Sequence, residues 1–166
     1  MPSTPSVHAF TTYHNGLARK LINDAIISYN EASLKVKVLW DTGATGTCVL
    51  TDVVEKLSIV PTGKENISTP SGTQTVDTFL VDIVLPNRVE VKEVKVRHVD
   101  EIGKQGIGAL VGMDIILLGD FAVSNCNSET VFSFRIPSKQ KTDYVTELNF
   151  QKTIGPKHGK GKRKRK

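Results

Sequence analysis

Cysteine is scarce in this chain. Cys48 and Cys126 are the only two among 166 residues. They lie far apart, with no Cys-x-x-Cys spacing, which fits a reducing compartment and argues against a structural zinc site. The four histidines (His8, His14, His98 and His158) show no metal-ligand spacing either. A Cys–His nucleophile pair is disfavoured as well, because Cys48 sits in an apolar run, where a thiol is usually inert filler. No apolar run approaches the roughly eighteen residues that a membrane-spanning helix needs, and the N-terminus has no basic-then-apolar leader. The expectation is a soluble, unsecreted, cytoplasmic protein with no membrane contact. Aromatics make up only 6% of the residues, whereas Val, Ile and Thr are plentiful, which favours strands over helices. No internal repeat is evident, so one lobe is expected and not a fused pair.

What is present is enough for one core. A chain of this length is one domain by size, and 39% apolar content supplies its interior. The formal charge of +5 misleads, because eight of the 22 Lys and Arg residues fall within 152–166, a stretch with no acid. The other fourteen face seventeen acidic residues, so residues 1–151 carry a net −3. The tail, a run of like charge with interspersed glycines and no apolar partner, is expected to be disordered. It would attract nucleic acid or another polyanion in a salt-dependent way, and without interleaved aromatics any such binding would be non-specific. The bland alternative is a solubilising terminus.

Along the chain, residues 1–6 read as a disordered N-terminus, 7–137 as the folded domain and 138–166 as a flexible C-terminal segment ending in the basic tail. Strands are expected over Val7–Tyr13, Leu17–Tyr29 and Leu34–Leu39. The second of these also carries a helical stripe through Leu17, Leu21, Ala25 and Ile26. Thr51 is placed as the N-cap of a short helix over 52–57. A hairpin is expected from Glu65–Thr69 and Thr73–Leu85 around Pro70, Ser71 and Gly72, followed by an alternating strand over Val89–Val99. The glycine-rich stretch 102–107 lacks the Lys-Ser/Thr of a phosphate loop and reads as a connector. A short helix follows Gly112, and late strands are expected over 121–124 and 130–136.

The chemistry concentrates in Val38-Leu39-Trp40-Asp41-Thr42-Gly43-Ala44-Thr45. An apolar strand delivers a carboxylate to a turn that Gly43 can make sharp, and Thr42 adds a hydroxyl inside it. Asp41-Thr42-Gly43-Ala44 resembles the active-site signature of retropepsin-like aspartic proteases, the single-domain relatives of retroviral proteases. Two further stretches are similar to that family in order and position. Ser68-Thr69-Pro70-Ser71-Gly72-Thr73-Gln74 stands where the family keeps its flap, and Ala109-Leu110-Val111-Gly112-Met113-Asp114-Ile115-Ile116 resembles its second motif. The resemblance covers roughly residues 33 to 118, and Leu118–Val123 also looks like the continuation in bacterial members. It implies a mostly-β, single-lobe, closed acid-protease barrel with one or two short helices. It also implies Asp41 as the catalytic acid, supported by Thr42, Gly43, Ala44 and Gly112, and a substrate-closing flap at Pro70, Ser71 and Gly72. The flap tip is poorer in glycine than the family's usual one, which implies a stiffer flap.

Aspartic peptidase chemistry needs two carboxylates about 3 Å apart sharing one proton, because both cannot ionise at that distance. The ionised member takes a proton from water, while the protonated one hydrogen-bonds the scissile carbonyl. No metal or other cofactor is required. Only one Asp-Thr-Gly is present, and Asp114 reads instead as a first-turn acid complementing a helix dipole. A two-fold homodimer would supply a second Asp41 at the axis, and by the resemblance each Thr42 would brace the other subunit's loop. The expected function is thus a homodimeric endopeptidase acting on extended peptide or protein substrates. The alternatives are a non-catalytic peptide-binding module of the same fold, or a polyanion-binding protein acting through its tail.

Overall fold

The computed structural model describes residues 8–69, 72–102 and 106–154. Ten strands and three helices follow one another. In order they are β1 (His8–Tyr13), β2 (Leu21–Tyr29), β3 (Ala32–Trp40), β4 (Cys48–Leu50), α1 (Thr51–Leu57), β5 (Gly63–Thr69) and β6 (Gly72–Leu85). After them come β7 (Val89–Val99), β8 (Ile107–Val111), α2 (Met113–Ile116), β9 (Asp120–Cys126), β10 (Glu129–Ile136) and α3 (Tyr144–Ile154).

Strand order in the larger sheet is β2-β3-β8-β4-β7-β6-β5, and β2 pairs again with β6. That second pairing closes six strands into a barrel, with β5 attached outside the ring along β6. The protein is therefore the mostly-β closed barrel that the sequence implies. Closure leaves no free edge in the ring, which removes a common site of unwanted strand pairing. Two contacts in the ring are parallel, β3 with β8 and β4 with β7, and the rest are antiparallel.

Alternation explains most of the core. On β2 and β6 every second residue turns inward, so Ala25, Ile27, Phe79, Val81, Ile83 and Leu85 are buried. The helical stripe in β2 loses to this pairing: Ala25 is buried but Ile26, its stripe neighbour, is 41% exposed. β4 and β8 are short and buried, and both were absent from the expected elements. The connector expected over 102–107 stops one residue short, because β8 begins at Ile107; residues 103–105 lie outside those described.

A second sheet of three antiparallel strands, β1-β10-β9, packs over one end of the barrel. Its aromatic face meets the end of β3: the Trp40 ring lies 5.0 Å from Phe134, 5.4 Å from Phe121 and 5.7 Å from Phe132. Offset and tilted aromatic pairs at these spacings add to simple area burial. The buried Trp40 indole N–H donates to Asn23 Oδ1 at 2.5 Å, so the ring is also held by a directed bond. Trp40 immediately precedes Asp41, and this cluster thereby fixes the strand end that presents the carboxylate.

The N-cap of α1 is Leu50 and not Thr51. The Thr51 hydroxyl instead lies 2.8 Å from His98 Nε2, which ties the first turn of α1 to β7. The segment expected to be flexible from 138 onward begins with a tether. Asp120 accepts from the Ser138 hydroxyl and from the backbone N–H groups of Lys139 and Gln140. Beyond it α3 projects with Tyr144, Val145, Leu148 and Phe150 exposed. Residues 1–7 and the basic run from 155 lie outside the described residues, as do Pro70 and Ser71. Among the described residues no helix is long and apolar enough to cross a membrane.

Candidate active site

β3 runs parallel to β8, with Trp40 opposite Val111. The Asp41 N–H then donates to Val111 O at 3.0 Å, which ties the start of the turn to the end of β8. Within the turn, Asp41 Oδ1 accepts from the Gly43 N–H at 2.8 Å, and Asp41 O accepts from the Ala44 N–H at 3.2 Å. The carboxylate is half-buried, while Thr42 and Gly43 are exposed beside it. The turn thus fixes one carboxylate oxygen by a backbone donor and leaves the other uncommitted among the described residues.

A second element locks the turn from below. Ala44 O accepts from the Met113 N–H at 2.8 Å. Gly112 sits so close to the chain at Gly46 that a Cβ there would lie 2.5 Å from the Gly46 carbonyl carbon. The atoms it would meet are all Gly46 backbone and cannot swing aside as a side chain could, so glycine is required by contact.

Thr47 is the hub of this layer. It is completely buried. Its N–H and hydroxyl donate to the two Asp114 oxygens at 2.8 and 2.7 Å, and the hydroxyl oxygen accepts from the Gly112 N–H at 3.2 Å. Asp114 also takes the Ile115 N–H at 2.9 Å. Its role is therefore larger than a first-turn acid: it is a buttress that ties α2, through Thr47, to the chain that follows the Asp41 turn. Sequence reasoning missed Thr47 and this use of Asp114. The only signal was a polar residue inside the apolar stretch that follows the signature.

Opposite the turn, β5 forms one wall of a cleft of about 440 Å3, lined by residues 43–46, Cys48, residues 65–68 and Arg97. Arg97 Nη2 donates to Glu65 Oε1 at 2.8 Å, and Lys95 Nζ lies 2.9 Å from Glu65 Oε2. The Arg97 and Lys95 partners hold the Glu65 carboxyl down at about 2. Burial pushes the Cys48 thiol up, and its Sγ–H points to Gly46 O at 3.7 Å, so Cys48 is no activated nucleophile. A second cavity of about 340 Å3, on the other side of Asp41, is lined by Arg19, Lys20, Leu21, Trp40, Thr42 and Phe121 among others. Among the described residues, no three His, Cys, Asp or Glu side chains are grouped to hold a metal ion.

The predicted site residues therefore fall as follows. Asp41, Thr42, Gly43, Ala44 and Gly112 lie together at the junction of β3, β8 and α2. Of the flap residues, Gly72 opens β6 with a φ of +118°, opposite Thr69, and Pro70 and Ser71 lie outside the described residues.

The family described as “gag-polyprotein putative aspartyl protease” matches residues 27–117 of this chain. That span includes the Asp41 turn, the hairpin of β5 and β6, and Gly112 and Asp114. No curated protein matches. Among solved structures, a retropepsin-like aspartic protease from Rickettsia conorii is similar at 16% identity, covering 79% of this chain and 96% of its own, with a TM-score of 0.49. Simian foamy virus (mac) protease is similar at 23% identity over 58% of this chain and 91% of its own, with a TM-score of 0.42. EIAV protease, solved with the inhibitor HBY-793, is similar at 22% identity over 62% and 90%, with a TM-score of 0.45.

Proposed function

Because the chain belongs to the gag-polyprotein aspartyl protease family, we propose that it is a homodimeric aspartic endopeptidase whose catalytic pair is Asp41 and the Asp41 of a second copy. The observation that carries this reading is the Asp41 turn: one carboxylate oxygen is held by the Gly43 N–H and the other is uncommitted among the described residues, with Asp41 lining the cavity of about 340 Å3 and residues 43–46 lining the cleft of about 440 Å3. Such preorganisation suits a group that must hold and pass a proton without moving. Asp114, the nearest rival in sequence, is spent on Thr47 and Ile115 and has no role as the partner acid.

In this mechanism the paired carboxylates hold one proton. The ionised one draws a proton from water as the water oxygen attacks the scissile carbonyl, and the other donates a hydrogen bond to the carbonyl oxygen. The tetrahedral intermediate breaks down when the leaving nitrogen is protonated, regenerating the shared-proton pair. An extended peptide would be gripped through its backbone by β5 and the turn after Gly43, with alternate side chains entering the flanking cavities. Thr42, exposed beside the acid, would meet the second copy.

Replacement of Asp41 by Asn leaves the turn isosteric and removes the proton chemistry. Cleavage of a mixed peptide library from mildly acidic to neutral pH should fall by at least ~10^3-fold in the variant, since positioned acid–base groups contribute on the order of 10^2–10^4 each. Equal cleavage by both proteins would remove the enzymatic reading.

A further inference from the structure

Gly46, three residues past the catalytic turn's Gly43, has no side chain, and the space above it is filled from elsewhere. The Arg97 guanidinium occupies it: a Cβ built on Gly46 would lie 1.4 Å from Arg97 Nη1. Arg97 reaches this place because its N–H bonds to Thr47 O at 3.0 Å, which fixes β7 against the chain that follows Gly46. The side chain is one-fifth exposed and borders the cleft shared with Glu65, Cys48 and residues 66–68.

A guanidinium carries five N–H donors. Among the described residues only Nη2 has a partner, Glu65 Oε1, while the buried Nε–H has none. Glu65 itself is doubly engaged, by Arg97 on one oxygen and Lys95 on the other. The group of Arg97, Lys95 and Glu65 thus carries a net positive charge, and Nη1, packed over Gly46 on the cleft lining, is the donor left to meet a ligand, since the unpartnered Nε–H is buried. The nearby Asp114 carboxylate is turned to Thr47 and Ile115 and offers Arg97 no hydrogen bond among those observed.

We propose that the Gly46–Arg97 wall of this cleft is a side-chain subsite that selects an acidic residue, Asp or Glu, in a bound peptide. A guanidinium N–H makes a charge-assisted hydrogen bond to a carboxylate, and Nη1 is the donor placed to make it. Cys48 and Ile67, also on the cleft lining, pack against the methylenes of the incoming side chain. A lysine side chain gains little here, because Glu65 already holds two cations and Asp114 is committed to Thr47 and Ile115. The inference rests on the peptidase reading only in that a peptide must occupy the cleft.

The test uses two readouts on the full chain. Peptides that differ only by Glu, Gln or Lys at each position around the scissile bond are compared for kcat/KM with the wild type and for direct binding to Asp41→Asn. At one position, Glu should exceed Gln by about 10-fold, as expected for a charge-assisted hydrogen bond in a partly exposed site. Arg97→Met should bring that ratio to about one, while Arg97→Lys retains part of it. Glu65→Gln, which removes the carboxylate charge that competes for the guanidinium, should raise it; this variant keeps the test decisive even where Arg97→Met folds poorly. A Glu/Gln ratio near one at every position, or a ratio unchanged in both Arg97 variants, overturns the subsite. Charge-selective binding to Asp41→Asn without any cleavage by the wild type would leave the subsite standing and remove the peptidase reading.

Discussion

Thr47 shows how much of the site depends on one hydroxyl that is sealed from solvent. It is wholly buried, donates to Asp114 and accepts from the Gly112 N–H. Thr47→Val keeps the shape and deletes both bonds, leaving a buried backbone donor and part of a carboxylate unsatisfied. Leaving such groups unpaired costs about 2–3 kcal/mol, and denaturant unfolding should show that loss. Thr47→Ser, which keeps the hydroxyl and loses only a methyl group, should fall by less than about 1.5 kcal/mol. If valine proves as stable as serine, the buttress has no energetic weight. The same scale separates what the sequence declares from what it hides. Asp41, Gly43 and Ala44 are read from adjacent letters because their bonds run within one turn. The Thr47–Asp114 clamp joins residues 67 positions apart, and Arg97 meets Gly46 only through the β4–β7 pairing. Neither contact leaves a local pattern.

Among the elements, β7 matches its expected bounds because Val89, Val91, Val94 and Val96 recur against polar neighbours, with one break in the alternation at Glu93, where φ is +52°, and Pro86-Asn87 marks its start. β4 and β8 are not legible in this way. Three and five residues of mostly apolar chain, buried within the ring, have no period to read and merge with their neighbours. β5 stands apart energetically, since it lies outside the closed ring and pairs with β6 alone. Its side-chain link to β7 is Glu65, held by Arg97 and Lys95. The Glu65 carboxyl, ordinarily near 4.5, is lowered to about 2 in the folded protein. As pH falls the unfolded chain binds this proton first, so the stability from the cluster is complete above about 4.5 and is lost towards 2. Melting temperature should therefore drop more steeply between pH 5.5 and 3 in the wild type than in Glu65→Gln. Parallel pH profiles for the two proteins would show that the cluster contributes nothing to folding.

At the scale of the whole molecule, the barrel offers one Asp41 and the proposed chemistry requires two. The surface beside the site carries exposed apolar residues that a second copy would cover. Thr42 and Leu117 line the same cavity of about 460 Å3, and Leu117 is 73% exposed with Leu118 next to it at 44%. β9 is an edge strand of the small sheet, and its Val123 is exposed at 38%. An isologous contact places each such residue in the interface twice. Burying a leucine contributes about 1.5–3 kcal/mol. Leu117→Lys should thus weaken a dimer by roughly 3–6 kcal/mol, on the order of 10^2–10^4 in Kd. The wild type should sediment at twice the 18.2 kDa chain mass, and its specific activity should fall on dilution. Leu117→Lys should sediment as a single chain and lose cleavage, while its far-UV circular dichroism is unchanged because the substituted side chain is already in solvent. A wild type that cleaves at full specific activity as a monomer would remove the shared-proton pair, since one carboxylate cannot both take a proton from water and donate one to the carbonyl in the same step.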